Sequence, residues 1–278
     1  IDSMDQGIGR VVETLKLNNQ FENTLIFFMS DNGGCAELMR EDGDWSNTSQ
    51  WETNLINGKP VRVGNIPNLR PGPGTTFQSY ETPWTNVSNS PFRLFKRWIH
   101  EGGISAPLIV HWPNEIDKPR IESEPLHIMD IPATSIDAAG AVYPDEFNGN
   151  KIKPIEGESF LNLLCNKWSR EKPMYWEHEG NQGIRIGEWK LVKEYGGEWE
   201  LYNMVDDRTE LNNLAAKDTD RVNDMSSKWE EWAKNSNVLQ WPVDPNVMAK
   251  RLEGEHSHIH QHRGATASQI AEGKGKFL

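Results

Sequence analysis

Leu25-Ile26-Phe27-Phe28-Met29-Ser30-Asp31-Asn32-Gly33-Gly34 places five apolar residues and a serine before an acid, an amide and two glycines. Such a run, bounded by polar residues, reads as a fully buried strand. In open α/β sheets, ligands gather outside the carboxyl ends of the strands, which is where Asp31 and Asn32 fall. Both offer hard oxygen donors suited to Ca2+ or Mg2+, and Gly33-Gly34 lets the chain turn sharply away. Taken alone, Asp-Asn-Gly is also a common solvated turn.

Upstream, Ile1, Met4, Ile8, Val11, Val12 and Leu15 share one face of a helix over residues 1–17, of which Asp2 or Ser3 could cap a shortened version. Helix followed by strand is half of the αβ unit from which parallel sheets are built. Downstream, residues 36–90 are long and polar, with Pro71-Gly72-Pro73-Gly74 at their centre. Trp45, Trp51, Phe77, Tyr80 and Trp84 argue against simple disorder there. These rings either stack on an aryl or sugar group or anchor the loop to its own domain. Residues 91–101 predict a short helix, 106–112 a second buried strand, 129–140 a helix ending at Gly140, and 157–166 a shorter one. Four strands follow at about 173–178, 182–187, 189–194 and 198–203, an antiparallel set with Gly196-Gly197 as a hairpin turn. A helix over 218–235 sets Val222, Met225, Trp229 and Trp232 on its apolar side. After about residue 243 the periodicity fades into a tail that carries His256-Ser257-His258-Ile259-His260-Gln261-His262.

The net charge of −12 argues against a nucleic-acid partner, because phosphate-backbone binding needs clustered Lys and Arg. It leaves an anionic substrate open, since a local cationic pocket can sit in an acidic protein. No apolar run approaches the ~20 residues of a membrane-spanning helix. Two cysteines, Cys35 and Cys165, give no disulfide framework.

Ser90-Pro91-Phe92-Arg93-Leu94-Phe95-Lys96-Arg97-Trp98-Ile99-His100-Glu101-Gly102-Gly103-Ile104 leads into a strand closing on Trp112-Pro113. Together with Ser30-Asp31-Asn32-Gly33-Gly34, it resembles the arylsulfatase family of the alkaline-phosphatase superfamily. Leu126–Thr134, Gly183–Val192 and Glu200–Met204 with Asp206 and Glu210 keep the order found in those enzymes, so the resemblance runs to about residue 240. It implies an α/β fold: part of a sulfatase-type sandwich core with a largely parallel sheet, plus a small C-terminal antiparallel sheet with a packed helix. The corresponding boundaries are 1–165 for the core, 166–243 for the subdomain and 244–278 for a mobile tail.

The implied chemistry is hydrolysis of an aryl or carbohydrate sulfate monoester. Asp31 and Asn32 would complete a site for Ca2+, or alternatively Mg2+. Lys96 would be the catalytic, substrate-binding residue that contacts the sulfate; otherwise it is an exposed helix lysine. The family's nucleophile is a formylglycine made within a Cys/Ser-x-Pro-x-Arg motif expected upstream. Neither Cys35-Ala36-Glu37 nor Cys165-Asn166-Lys167 fits that motif. The sequence is therefore read as a C-terminal portion, inactive alone, whose partner is a sulfated small molecule or glycan. Family habit favours a periplasmic or secreted location. His100, one turn after Lys96, could share its face but reads as structural, and Glu101 as orienting Gly102-Gly103. His111 reads as a packing residue at a strand end, and His178 as structural or exposed. Two alternatives remain open: a phosphodiesterase or phosphonate hydrolase of the same superfamily, and a non-catalytic module that binds sulfated glycans.

Overall fold

A computed structural model describes residues 1–37, 54–79, 81–165 and 167–244. Trp45, Trp51, Tyr80 and the histidine-rich segment 256–262 lie outside the described residues. In chain order the elements are α1 (Asp2–Leu17), a short 3-10 turn (Phe21–Asn23), β1 (Ile26–Met29), β2 (Arg62–Val63), β3 (Thr76–Phe77), α2 (Glu81–Asn89), α3 (Glu101–Ile104), β4 (Leu108–His111) and α4 (Asp130–Ala138). Then come β5 (Glu146–Phe147), β6 (Asn150–Lys151), α5 (Leu161–Cys165), β7 (Met174–His178), β8 (Asn181–Ile186), β9 (Trp189–Lys193), β10 (Trp199–Asn203) and α6 (Thr219–Asn235). They group into two compact units with interleaved segments: 1–31, 106–174 and 185–189 in the first, and 32–105, 175–184 and 190 onward in the second. Among the described residues, no helix is long and apolar enough to cross a membrane.

In the first unit β1 pairs with β4, and the pair is antiparallel, with Phe27 opposite Val110 and Phe28 opposite Ile109. This corrects the parallel neighbour expected for β1 from its preceding helix. The long connection between the two strands allows either direction, so the local αβ pattern does not decide it. Alternation then sends Leu25, Phe27, Leu108 and Val110 into a cluster with Phe160, Leu163 and Leu164 of the α5 region. Phe27 meets Phe160 edge to face, with 5.9 Å between ring centres. On the opposite face Phe28 and Ile109 remain 45% and 60% exposed, so β1 is covered on one side only and not fully buried. The helix predicted at the start forms as α1, yet none of its residues is buried. Phe21 lies 4.6 Å from the His111 ring, consistent with the packing role read for that histidine. Asp130, at the start of α4, is wholly buried. It accepts the backbone N–H groups of His127 at 2.6 Å and Glu158 at 2.9 Å, and pairs with Arg170. Burying that carboxylate without such partners would be costly.

The second unit holds most of a four-stranded sheet in the order β10-β9-β8-β7. Glu179-Gly180 and Gly187-Glu188 connect successive strands, too short for a crossover, so the predicted antiparallel meander forms. Glu179 and Gly180 have φ of 51° and 80°, as a tight hairpin turn with right-handed strand twist demands. Helix α6 covers one face. Tyr175 stacks on Trp232 at 5.1 Å, Trp199 meets Trp229 edge to face at 6.1 Å, and the Trp229 indole N–H donates to the Trp176 carbonyl at 2.9 Å. Asp218 caps this helix by accepting the Arg221 N–H at 3.1 Å. The other face packs Val192, Tyr202 and Met204 against Ile99 and Ile104. Close approach is needed there: a Cβ on Gly183 would lie 2.4 Å from Ile99 Cγ2. The sheet thus serves as a platform beneath the segment that carries Lys96.

The short 3-10 turn, the parallel β2–β3 pair, helix α2 and the β5–β6 hairpin were not expected. Helix α2 lies in the stretch read as loop, with Pro83 in its first turn, where a missing N–H costs nothing. The small β5–β6 hairpin turns at Asn148-Gly149, with φ of 50° and 79°.

Candidate functional site

The chain leaves β1 through Ser30 and bends at Asp31-Asn32-Gly33. Asp31, exposed, is the last residue of the first unit, and Asn32, half-buried, opens the second. The Asn32 side-chain amide donates to the Gly33 carbonyl at 2.8 Å. Gly33 N–H donates to the Gly103 carbonyl at 2.8 Å. The backbones approach so closely that a Cβ on Gly33 would stand 1.8 Å from the Gly102 oxygen. Gly34 N–H donates to Asn89 Oδ1 at 2.9 Å, while Asn89 Nδ2 donates to the Leu94 carbonyl at 3.0 Å. Lys96 N–H donates to the Gly34 carbonyl at 3.0 Å. Hydrogen bonds therefore stitch the turn after Asn32 to the Lys96 segment.

That segment is not the helix predicted for 91–101. A single helical turn forms at Glu101–Ile104, and the residues before it are irregular. Leu94 and Arg97 have φ of 64° and 104°, left-handed conformations that L-residues adopt only when the surroundings impose them. Here the imposing contacts are the bonds to Gly34 and Asn89, together with the Arg97–Glu179 ion pair at 2.7 Å. Without helical spacing, Lys96 and His100 do not share a face. Lys96 is 41% exposed with Nζ 3.3 Å from Glu37 Oε1, whereas His100 is buried. Glu37 and Asn89 were missed. Their roles arise from partners far along the chain, which local spacing does not display.

His100, Glu194 and Glu200 place their ligand atoms within 4.8 Å of one another, a spacing compatible with a cation. The Arg93 guanidinium already supplies positive charge there, 3.5 Å from Glu200 and 3.9 Å from Glu194. Tyr202 also donates to Glu200. A hydrogen bond from His100, helped by Tyr202 and Arg93, holds the Glu200 carboxyl down at about 2, from an ordinary value of 4.5. Burial and the adjacent carboxylate push the Tyr202 phenol up, so it stays a donor. Since the folded value of Glu200 lies below the unfolded one, its stabilisation is complete above pH 4.5 and lost as pH falls from 4.5 toward 2. We expect Glu200→Gln to remove that acid sensitivity, about 1–2 kcal/mol after screening of a partly exposed group. Urea midpoints between pH 5 and 2.5 check it; equal acid sensitivity in both proteins would refute the assignment.

Asp31 and Asn32 match the donor chemistry of a hard cation, but two side chains fall short of the roughly six to eight oxygens that Ca2+ takes. The other members of a complete set would have to come from elsewhere in the protein.

The sulfatase family model matches residues 1–141, and a model for the C-terminal region of N-sulphoglucosamine sulphohydrolase matches residues 92–235. An uncharacterized sulfatase of Schizosaccharomyces pombe is 30% identical over 258 residues, 88% of this chain and 44% of that protein. Steryl-sulfatase of Mus musculus is 26% identical over 189 residues, 68% of this chain and 23% of that protein. Among solved structures, Ps i-CgsB in complex with k-i-k-neocarrahexaose has a TM-score of 0.52 at 26% identity, covering 82% of this chain and 40% of that one. The chain thus spans less than half the length of these relatives. The α/β class expected from the resemblance is that of the solved neighbour. With a turn and a lysine segment stitched as described, and two family models that together run from residue 1 to residue 235, the chain belongs to the sulfatase family.

Proposed function

We propose that the protein containing this chain hydrolyses a sulfate monoester borne by a carbohydrate, and that this chain supplies Asp31 and Asn32 to a divalent-metal site and Lys96 to the substrate sulfate. The observation that carries this reading is the backbone stitching of the Asn32–Gly34 turn to Lys96, with the ammonium resting on Glu37. An exposed pair of this kind is weak, so a substrate sulfate can take the place of Glu37 at little cost. The lysine is a compact point charge, suited to an anion whose charge is spread over several equivalent oxygens. Trp84 and Val87, each 66% exposed, sit one turn apart on α2, the helix that also carries Asn89. They offer a flat apolar surface of the sort sugar rings stack on. The match to Ps i-CgsB bound to an oligosaccharide supports the carbohydrate class.

Ca2+ would be held by the Asp31 and Asn32 oxygens and would add positive charge where sulfuryl charge builds; a formylglycine in the family's nucleophile motif would supply the attacking oxygen. Lys96 binds the sulfate and offsets the charge that accumulates as sulfur passes from leaving oxygen to nucleophile. Holding two ligands of the set and no nucleophile motif, the chain alone is expected to be silent.

The test uses the full-length protein and a panel of sulfated sugars and aryl sulfates, with phosphate mono- and diesters as comparison. Chelation is expected to lower sulfate-ester turnover at least 100-fold and Ca2+ to restore it, while Asp31→Ala stays inactive at any Ca2+ concentration tried. Chelator-resistant turnover that survives Asp31→Ala, or hydrolysis confined to phosphate esters, would refute the proposal.

A further inference from the structure

Lysine is among the residues least often fully buried, and inside a protein it needs a charge partner. Lys190, the second residue of β9, is wholly buried, and two carboxylates meet its ammonium. Glu101 Oε1 lies at 2.9 Å and Glu210 Oε1 at 2.8 Å, both on buried side chains. The half-exposed Arg208 reaches the other oxygen of Glu101 at 3.2 Å, so two cations face two anions. Well-packed apolar residues often replace such a cluster without loss of stability, so stability is a poor account of its presence. What a cluster of this kind does supply is fixed geometry.

Glu210 extends that geometry in two directions. Its Oε2 accepts the Glu101 backbone N–H at 2.8 Å, and its own carbonyl accepts from the Arg93 guanidinium at 2.9 Å. A φ of 57° at Glu210 is part of the conformation from which it makes both bonds. The turn so held, Glu101-Gly102-Gly103, donates from Gly102 N–H to the Arg93 carbonyl at 3.0 Å and accepts from Gly33 N–H at 2.8 Å. Gly33 follows Asn32, and the carbonyl of Gly34 accepts from Lys96 N–H at 3.0 Å. A short chain of direct contacts thus runs from one buried ammonium to both segments of the site.

We propose that Lys190 is a positioning residue: with Glu101 and Glu210 it forms a buried ionic clamp that fixes the Glu101–Gly103 turn, and through Gly103 it holds the Asn32–Gly34 turn and Lys96 in place. The sulfatase reading is needed only for the activity part of its test. The full-length double variant Lys190→Met/Glu210→Gln removes the lysine with one carboxylate and leaves Glu101 balanced by Arg208. Hydrogen exchange is read at the Gly33 and Lys96 amides against the Leu201 amide, which is bonded to Asn213 Oδ1 at 3.0 Å. Exchange at Gly33 and Lys96 is expected to rise at least tenfold relative to Leu201, with kcat down tenfold or more and KM within about threefold of wild type. Equal loosening at all three amides, or unchanged kcat in the folded variant, would overturn the clamp. If the double variant does not fold, Glu210→Gln alone retains an acceptor for the Glu101 N–H and is read the same way, with a threefold relative rise as the threshold. A wild-type protein without sulfate-ester turnover would sink the sulfatase reading, and the exchange comparison would then decide the clamp by itself.

Discussion

Lys96→Ala is expected to lower kcat/KM of the full-length protein for its sulfate ester by about 100- to 1000-fold, the usual cost of removing one group that stabilises developing charge. Folding should hardly notice. The side chain is 41% exposed, and its one ion pair among the described residues joins it to Glu37, which is 66% exposed; such pairs contribute about 0–1 kcal/mol. What the fold needs at this position is the backbone N–H bonded to Gly34, which alanine keeps. Lys96→Arg should recover only part of the activity, because a planar fork replaces a point charge within a segment already forced through left-handed conformations at Leu94 and Arg97. Steady-state kinetics beside thermal unfolding separate the two effects. A fall below threefold, or a loss of activity that tracks a loss of folded protein, would remove Lys96 from the site.

Gly102→Ala should be among the most damaging single-methyl additions in the chain. The new Cβ would lie 2.1 Å from the Leu94 oxygen and 2.3 Å from the Arg93 oxygen. These are backbone atoms of the Lys96 segment, and they cannot swing aside as the end of a side chain can. The whole turn would have to shift, breaking the Gly103–Gly33 bond that links it to Asn32. We expect at least ~3 kcal/mol of destabilisation, in the upper range for overpacking. Gly33→Ala should behave alike, since its Cβ would meet Gly102 from the other side at 1.8 Å. Gly196→Ala is the control. Gly196 has φ +78° but nothing within 4 Å of the added atom, so only the local backbone cost of ~1–2 kcal/mol applies. Denaturant midpoints for the three variants would contradict this picture if Gly102→Ala matched Gly196→Ala.

Elements whose signal is local and repeated could be read from the sequence. The meander and α6 formed close to their expected bounds because alternation and helical spacing were unopposed by tertiary demands. The bend at Asp31-Asn32-Gly33 was legible because a strand and two glycines flank it. The Lys96 segment was misread as a helix because its local spacing is overridden by Gly34 and Asn89. The strand direction of β1 escaped for a related reason: β4 pairs with it from far along the chain, and nothing local records direction. Lys190 gave a faint signal, a lysine set between Trp189 and Leu191-Val192, and its two carboxylates come from distant segments. Asn148-Gly149 was a stronger one, the dipeptide that favours a two-residue hairpin turn.

The clamp also sets a timetable for synthesis. Glu101 precedes Lys190 by 89 positions and Glu210 by 109. At about 5–20 residues per second, the ribosome releases the lysine and its second carboxylate roughly 5–20 s after Glu101. For that interval the nascent Lys96 segment has a glutamate with neither its lysine nor the carboxylate that later receives its N–H, and β9 and β10 beneath it do not yet exist. Completion of the clamp therefore waits for residue 210, and a ribosome paused between residues 101 and 190 would hold the Asn32–Gly34 turn and the Lys96 segment without the buried ammonium that later fixes the Glu101 turn.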